Sequence, residues 1–313
     1  MKQYNFLKIL KFSTMLFLFF LPIALMAEGG TGSSSSVTVI PPRFELYGSP
    51  GQSVSDQTIK IVNEQDREAT YQIEVADFSA AGEDGGVELH DDQSDFTYSL
   101  AKWIRIDEKS VNIGPKKTAF IKFGIDLPKN AEPGGHYASI IVGMGGGAKV
   151  VNGASVNPRI ASLVLLRVAG TVDEKAHIES FIAPKYSEKT PINLELRIKN
   201  RGQNHIKPKG TIVITNILGV KVDEIPLNGE NVLPGSIRKM NTEWKHNKLL
   251  SGRYTATLVA TYGEKNNQPL SASVSFIVFP KYLAGLYSVG IVSAAAVFIK
   301  RKKVKKILHN LTK

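Results

Sequence analysis

Residues 191–200 read PINLELRIKN, and the period of this stretch decides the fold. Apolar side chains occupy every second position, at Ile192, Leu194, Leu196 and Ile198. A strand with this period buries one face and exposes the other, as strands do in antiparallel sheets with one solvated face. The same alternation recurs in residues 69–77, 119–127, 254–262 and 272–278, and residues 37–280 show no long apolar period of 3.6 residues. The sequence therefore predicts an all-β fold.

Two halves of this β region resemble each other. The first half has IKIVN ending at Asn63, then IGPKK around Pro115, then GGHYASIIVG; the second has LRIKN ending at Asn200, then VLPGSIRK around Pro234, then SGRYTATLVATYG. This repeat predicts two tandem immunoglobulin-like antiparallel β-sandwich domains, at residues 37–171 and 172–280. In each half a Gly-containing turn precedes a tyrosine, Tyr137 or Tyr254, which favours a tyrosine corner with its hydroxyl bonded to nearby backbone.

The net charge of +11 lies almost entirely at the two ends of the chain. Residues 1–27 and 300–313 carry three and seven basic residues with no acidic residue, which leaves a net charge of +1 for residues 28–299. A nearly neutral folded portion argues against nucleic acid as a partner. The absence of cysteine excludes a disulfide framework and a thiolate nucleophile.

The N-terminal region has the pattern of an export signal. Residues 1–27 combine three lysines, an apolar run and a small residue, which predicts a signal peptide; an uncleaved anchor helix is the alternative. Residues 28–36, rich in Gly and Ser, then form a linker. Either interpretation places the following residues outside the cytoplasm.

The C-terminal region has the pattern of a membrane span. Residues 282–299 are uncharged, and 18 residues of helix measure roughly 27 Å, close to the thickness of a bilayer core. A basic tail at residues 300–313 follows, and such clusters stay in the cytoplasm; the membrane-orienting residues are Lys300, Arg301, Lys302, Lys303, Lys305 and Lys306. The alternative is a buried core helix. We predict a single-pass protein of the cell membrane, with its ectodomain outside and its tail cytoplasmic.

The first half contains about 18 more residues than the second, within residues 79–101, and this insertion is acidic. It carries no Lys or Arg up to residue 101, and its acidic side chains are Glu83, Asp84, Glu88, Asp91, Asp92 and Asp95. A solvated loop, a partner-binding site and a cation site are the three interpretations. The spacing of an EF-hand is missing, so no metal site is assigned.

The sequence contains no pattern that predicts catalysis. The six histidines are scattered without HExxH, and no G-x-S-x-G is present. Residues 143–147, GMGGG, lack the Lys-Ser/Thr of a phosphate loop and are interpreted as part of a hairpin joining two strands. Trp103 and Trp244 are interpreted as core side chains rather than platforms for carbohydrate. We therefore predict no catalytic residues, no cofactor and no enzymatic activity.

Three segments together resemble the first domain of the WxL-interacting proteins, which are surface proteins of Gram-positive bacteria. They are ELYGSPGQSVSDQTIKIVNEQDREATYQIEVADF, WIRIDEKSVNIGPKKTAFIKFGIDLP and PGGHYASIIVG, within residues 37–143. The resemblance implies peptidoglycan binding by the first domain and surface-protein partners, WxL-domain proteins among them. The chain has no Trp-x-Leu itself, since Trp103 precedes Ile-Arg and Trp244 precedes Lys-His.

These observations predict a non-enzymatic, membrane-anchored bacterial surface protein that binds cell-wall polymer or another surface protein. Sheet edges and loops would make the contacts, with residues 79–101 and 143–153 as candidates. One alternative is a tethered, strand-exchanging assembly chaperone for surface subunits. Another is an accessory module of a sugar-processing enzyme.

Overall fold

The computed structural model describes residues 37–90, 97–145, 149–151, 154–156, 159–246, 251–265 and 267–311. The predicted signal peptide and linker therefore lie outside the described residues. Among the described residues, twelve strands and one 3-10 turn (Ala101–Trp103) build the first domain. The strands are β1 (Val37–Ile40), β2 (Arg43–Gly48), β3 (Ser53–Asn63), β4 (Ala69–Ala81), β5 (Gly86–His90), β6 (Ile104–Ile106), β7 (Ser110–Ile113), β8 (Thr118–Asp126), β9 (Gly134–Met144), β10 (Lys149–Val151), β11 (Ala154–Val156) and β12 (Arg159–Val168).

The first domain is a sandwich of two sheets. One sheet has the order β1-β3-β8-β6, and the other has the order β2-β12-β9-β4-β5, with β7 also paired to β4. All neighbours are antiparallel except β2, which runs parallel to β12. The core between the sheets is built from the alternating residues of β3, β8 and β9, with Ile61, Ile125 and Ile140 fully buried.

The second domain is a sandwich with eight strands in its described part. They are β13 (Ala176–Ile182), β14 (Tyr186–Ser187), β15 (Ile192–Asn200), β16 (Lys209–Asn216), β17 (Lys221–Pro226), β18 (Ile237–Trp244), β19 (Gly252–Tyr262) and β20 (Gln268–Val278). The sheets have the orders β13-β15-β18 and β14-β20-β19-β16-β17. The four apolar residues of β15 are each 0–1% exposed, so the alternation of residues 192–198 marks the buried face. The predicted all-β fold of two tandem sandwiches is confirmed.

Two local predictions are also confirmed. The segment that begins at Gly143 at the end of β9 connects to β12, β9 and β12 pair antiparallel over ten residues, and the described residues of the connection include β10 and β11, which pair with each other. Trp244 is fully buried in the core of the second domain. Trp103 is half-buried against the core of the first domain, with its ring centroid 4.5 Å from that of His136.

One α-helix lies within the described residues, and this helix, α1 (Lys281–Leu311), follows β20. Its segment Lys281–Arg301 has a mean hydropathy of 1.9, so by length and composition it is able to cross a membrane. Large apolar side chains such as Leu286, Val289 and Ile291 are each more than 60% exposed along it. A core helix buries its apolar side chains, so the interpretation of residues 282–299 as a buried core helix does not fit.

Candidate interaction surfaces

The first part of the acidic insertion, residues 79–90, forms the end of the β4–β5 hairpin, and the turn of this hairpin reaches the second domain. Glu83 lies in the turn between β4 and β5, where Arg197 Nε of β15 donates to its carboxylate at 2.6 Å and the Lys239 backbone N–H donates to its carbonyl at 2.8 Å. Asp84 lies 2.9 Å from Lys239 Nζ. The hydrogen bond from Arg197 lowers the pKa of the Glu83 carboxyl. Both carboxylates therefore contribute to the junction between the two domains.

The other acidic residues of the insertion are not brought to this junction. Glu88 is exposed on β5 opposite Ser79. Asp91, Asp92 and Asp95 lie outside the described residues. The described residues contain no group of three or more His, Asp or Glu side chains able to hold a metal ion. A partner contact through this insertion stays a prediction.

An apolar cluster fills the centre of the junction. Phe78, Tyr137 and Leu165 of the first domain are almost fully buried, and Leu233 of the second domain packs against them. The Tyr137 hydroxyl lies 3.3 Å from His205 Nδ1 of the second domain. The prediction of a tyrosine corner at Tyr137 is therefore wrong, because this hydroxyl faces the other domain and not the backbone near it.

His205 is the buried ionisable group of the junction. Arg167 of β12 donates from its guanidinium to the His205 carbonyl at 2.8 Å, and Arg167 Nε lies 3.4 Å from the imidazole Nε2. Burial, followed by the positive charge of Arg167, lowers the pKa of His205 from 6.5 to about 3. The imidazole is therefore neutral at physiological pH, with Nε2 as the acceptor for Arg167.

The motif PGGHY of the first domain also lies at this junction. Gly135 N–H donates to the Gln203 carbonyl of the second domain at 2.9 Å. Gly134 has a φ of 130°, and a Cβ there would lie 3.2 Å from the same carbonyl oxygen. Gly134 thus permits a close approach between the backbones of the two domains.

A cleft of about 280 Å³ opens beside the junction. Its walls include Arg43, Phe78, Leu163, Glu230, Leu233 and Arg238. Arg43 pairs with Glu45 at 3.0 Å, and Arg238 pairs with Glu230. Since each arginine faces a carboxylate of the protein itself, the cleft presents little uncompensated positive charge to a ligand.

The outer edge of β20 has a hydrogen-bonded neighbour along only a small part of its length. β14 covers only its last two residues, Ile277 and Val278. The Ile277 N–H points outward and donates to Lys185 O at 3.0 Å. Because outward and inward groups alternate along an antiparallel strand, Ser271, Ser273 and Ser275 direct their N–H and C=O groups to the same side. No strand within the described residues pairs with them there.

This edge lacks charge and length restriction over its central part. Natural edge strands are blunted by charges, Pro, bulges or short length, and β20 has eleven residues without a charged side chain, its one Pro lying at the second residue, Pro269. By contrast, β17 and β18 carry charged residues along their length, β13 has a register shift, and β1 and β6 have four and three residues. We refer to the backbone groups of Ser271, Ser273 and Ser275 as the β20 edge.

The predicted membrane-orienting residues lie in the C-terminal part of α1. Lys300 and Arg301 are exposed, and Lys302, Lys303, Lys305 and Lys306 fall within the bounds of the same helix. The basic residues therefore follow the apolar segment within one continuous helix. Their side on the membrane depends on the direction of insertion.

Comparison with known proteins finds only distant likenesses. No family model and no curated protein matches the chain. A chain of the chaperone–tip adhesin complex of CFA/I fimbriae biogenesis is 10% identical, with a TM-score of 0.40 over 78% of this chain and 100% of that one. The class 5 fimbriae chaperone CfaA is 14% identical, with a TM-score of 0.38 over 76% and 98%. The E. coli chaperone DraB is 11% identical, with a TM-score of 0.34 over 78% and 96%. The fold described above rests on the chain's own sheets and not on these values.

The junction and the β20 edge were not predicted from the sequence. The alternation at residues 272–278 predicts a strand but does not tell which neighbour it has, so an edge strand and a central strand look alike. His205, Arg197 and Lys239 carry no local pattern that links them to the first domain. The absence of charge in β20 was the one available signal, because a long uncharged strand needs either two neighbours or a partner.

Proposed function

We propose that the chain is a non-enzymatic, membrane-anchored protein of the bacterial cell surface that binds a segment of another surface protein as an added strand. The single observation that carries this proposal is the open, uncharged β20 edge. An extended peptide that pairs with such an edge obtains affinity from main-chain hydrogen bonds. Three residues with outward N–H and C=O groups supply up to six of these bonds.

The side chains beside the β20 edge bear on which partner would bind. Ser271, Ser273 and Ser275 are small and exposed, and the Ser273 and Ser275 hydroxyls lie 2.9 and 3.0 Å from those of Thr257 and Thr255 on β19. A row of short hydroxyl side chains leaves room for large side chains on the neighbouring strand. The proposed partner segment is therefore uncharged and rich in β-branched or aromatic residues, which pair well across strands.

Anchoring is proposed through α1. Its apolar segment follows β20 after two residues, Phe279 and Pro280, so an inserted helix would hold the second domain close to the bilayer. The basic residues 300–306 would remain in the cytoplasm and leave both sandwiches outside. The resemblance to WxL-interacting proteins makes WxL-domain proteins the first candidates as strand donors, and peptidoglycan the candidate ligand of the first domain.

The strand-addition proposal is tested with two substitutions of Ser273. Ser273→Pro removes one outward N–H while leaving the inward ladder to β19 in place, whereas Ser273→Ala removes only the hydroxyl. We expect Pro to abolish, and Ala to preserve, retention of candidate WxL-domain proteins by the full chain in detergent. Equal thermal stability of the two variants shows that both are folded. Equal retention by both variants would contradict the proposal.

Binding of the wall by the first domain needs a separate experiment. The full chain in detergent is sedimented with insoluble peptidoglycan, and Ser273→Pro serves as the control because its first domain is unchanged. Equal co-sedimentation of both proteins is expected. If neither protein sediments above the level of an unrelated β-sandwich protein, peptidoglycan is excluded as the ligand.

A tethered, strand-exchanging assembly chaperone is the second candidate function, and the same edge would serve it. The solved structures compared above include fimbrial chaperones, but that likeness is too distant to carry the argument. The two functions differ in what happens to the bound strand. A chaperone passes its subunit on, so a pre-formed complex loses the subunit when a second subunit is added, whereas a docking protein retains its partner.

A further inference from the structure

The hairpin between β16 and β17 ends in an apolar tip. Ile217 and Leu218 are 76% and 81% exposed, which makes them the two most exposed large hydrophobic side chains in the described residues, and Val220 is 58% exposed. We refer to residues 217–220 as the hairpin tip. Three large apolar residues grouped at one turn are unusual on a soluble surface and mark a contact site.

The hairpin tip is an ordered turn whose backbone is internally bonded. The Asn216 side-chain oxygen accepts from the N–H groups of Leu218 and Val220, both at 3.0 Å. The Asn216 carbonyl accepts from Gly219 N–H at 2.9 Å, and Asn216 N–H donates to the Val220 carbonyl at 3.0 Å. Gly219 has a φ of 75°, which the turn requires. Because these backbone groups are already hydrogen-bonded within the turn, moving the turn from water into a less polar environment costs less free energy.

The sheet places the hairpin tip at the end of the domain from which α1 emerges. Asn216 is paired with Tyr254, which is paired with Phe276, so β16 and β20 run in the same direction and reach the same level. One strand lies between them, so the tip is about 10 Å to the side of the end of β20. The residues of the tip are level with Ile277 to Phe279, and α1 begins at Lys281.

Other groups at this end also suit an interface with lipid. Tyr186 and Ile277, which are paired across the sheet, are 47% and 46% exposed. Lys185 and Arg253 are exposed on the same rim, where Lys221 is also exposed and pairs with Glu224. Aromatic and apolar side chains combined with cations match the boundary between headgroups and acyl chains.

We propose that the hairpin tip inserts into the outer interface of the bilayer and gives the second domain a second membrane contact beside α1. This inference rests on the anchoring proposed above. Because two contacts about 10 Å apart oppose swivelling about the short connection at Phe279 and Pro280, the domain is held in one orientation. The β20 edge, which ends at the same rim, is then presented at a constant height above the lipid.

The absence of cysteine in the sequence permits a direct measurement of depth. Single cysteines at Leu218, Val220, Glu264 and Val289 are spin-labelled in the full chain and reconstituted in nanodiscs of phosphatidylcholine with phosphatidylglycerol. Collisions with oxygen, which enters the bilayer, are compared with collisions with a nickel chelate, which stays in water. Glu264 is the matched control, because it lies in the turn at the opposite end of β19.

We expect the ratio of oxygen to nickel collisions to be several-fold higher at Leu218 and Val220 than at Glu264, and highest at Val289. If the labels at Leu218 and Val220 lie in water while the label at Val289 lies in the bilayer, this inference is overturned and the proposed anchoring stands. An aqueous label at Val289 would overturn the anchoring itself and the inference with it. Tip labels shielded from both reagents would indicate a protein contact and would also overturn the inference.

Discussion

Asn63 and Asn200 occupy the same place in the two domains, at the end of β3 and of β15, and both are fully buried. The Asn63 amide donates to the carbonyls of Ile113 and Gly114, just before Pro115, at 2.9 and 3.0 Å. The Asn200 amide donates to Val232 O, two residues before Pro234, at 2.8 Å. The repeated Asn and Pro positions in the sequence thus have a physical cause. In each domain, the side-chain amide of one buried Asn hydrogen-bonds the end of a strand to a turn that is distant in the sequence.

Substitution Asn200→Ala is expected to destabilise the protein by about 3 kcal/mol, because it leaves the Asn204 carbonyl and the Gly202 N–H without their partner and removes one of the two hydrogen bonds that the Val232 carbonyl accepts. Urea unfolding of the full chain in detergent, followed by tryptophan fluorescence, measures the loss. The control is Asn193→Ala on the exposed face of β15, for which a change below about 0.5 kcal/mol is expected. Equal effects of the two substitutions would show that the buried amide has no special role.

At the scale of elements, α1 and β20 show which structural properties a local sequence pattern predicts and which it does not. The uncharged residues 282–299 predict a span without any knowledge of the fold, because length and composition alone decide whether a helix fits a bilayer. The alternation in residues 272–278 predicts a strand and its buried face equally well. Whether that strand has one neighbour or two depends on where β14 ends, which no local pattern encodes.

A charge in the middle of α1 is expected to weaken membrane retention. Ile291 is 69% exposed near the centre of the apolar segment, and an arginine there costs about 3 kcal/mol on insertion. Ile291→Arg should therefore shift a large fraction of the protein from the carbonate-washed membranes to the soluble fraction, while Ile291→Leu should not. Full membrane retention of the arginine variant would argue against α1 as the anchor.

At the scale of the whole molecule, the junction between the sandwiches contributes to the response of the chain to acid. His205 is 3% exposed, and its pKa of about 3 lies well below the value of 6.5 that it has in an unfolded chain. Between these values the unfolded state binds a proton that the folded state does not bind. Acid therefore removes stability as pH falls from 6.5 to about 3, with a limiting slope of about 1.4 kcal/mol per pH unit from this residue.

Substitution His205→Gln isolates this effect, because glutamine keeps a donor and an acceptor beside Tyr137 and Arg167 without titrating. The difference in unfolding free energy, wild type minus variant, should shrink by up to about 1.4 kcal/mol for each unit that the pH is lowered between 6 and 4. Between pH 7 and 8 the difference should stay constant, which serves as the internal control. A constant difference over the whole range would mean that His205 takes up its proton equally in both states.

The sequence by itself determined the properties that depend on local order along the chain. Alternating apolar residues specify strands and their buried faces, as at residues 192–198, and the uncharged stretch with its basic end specifies an apolar helix, because burial and membrane transfer act on each segment separately. Tertiary structure alone decided which groups meet across long separations: Glu83 with Arg197, Tyr137 with His205, and the hairpin tip with the end of the domain that leads to α1. Those encounters follow from sheet order and the approach of the two domains, and many sequences with the same alternation would arrange them differently.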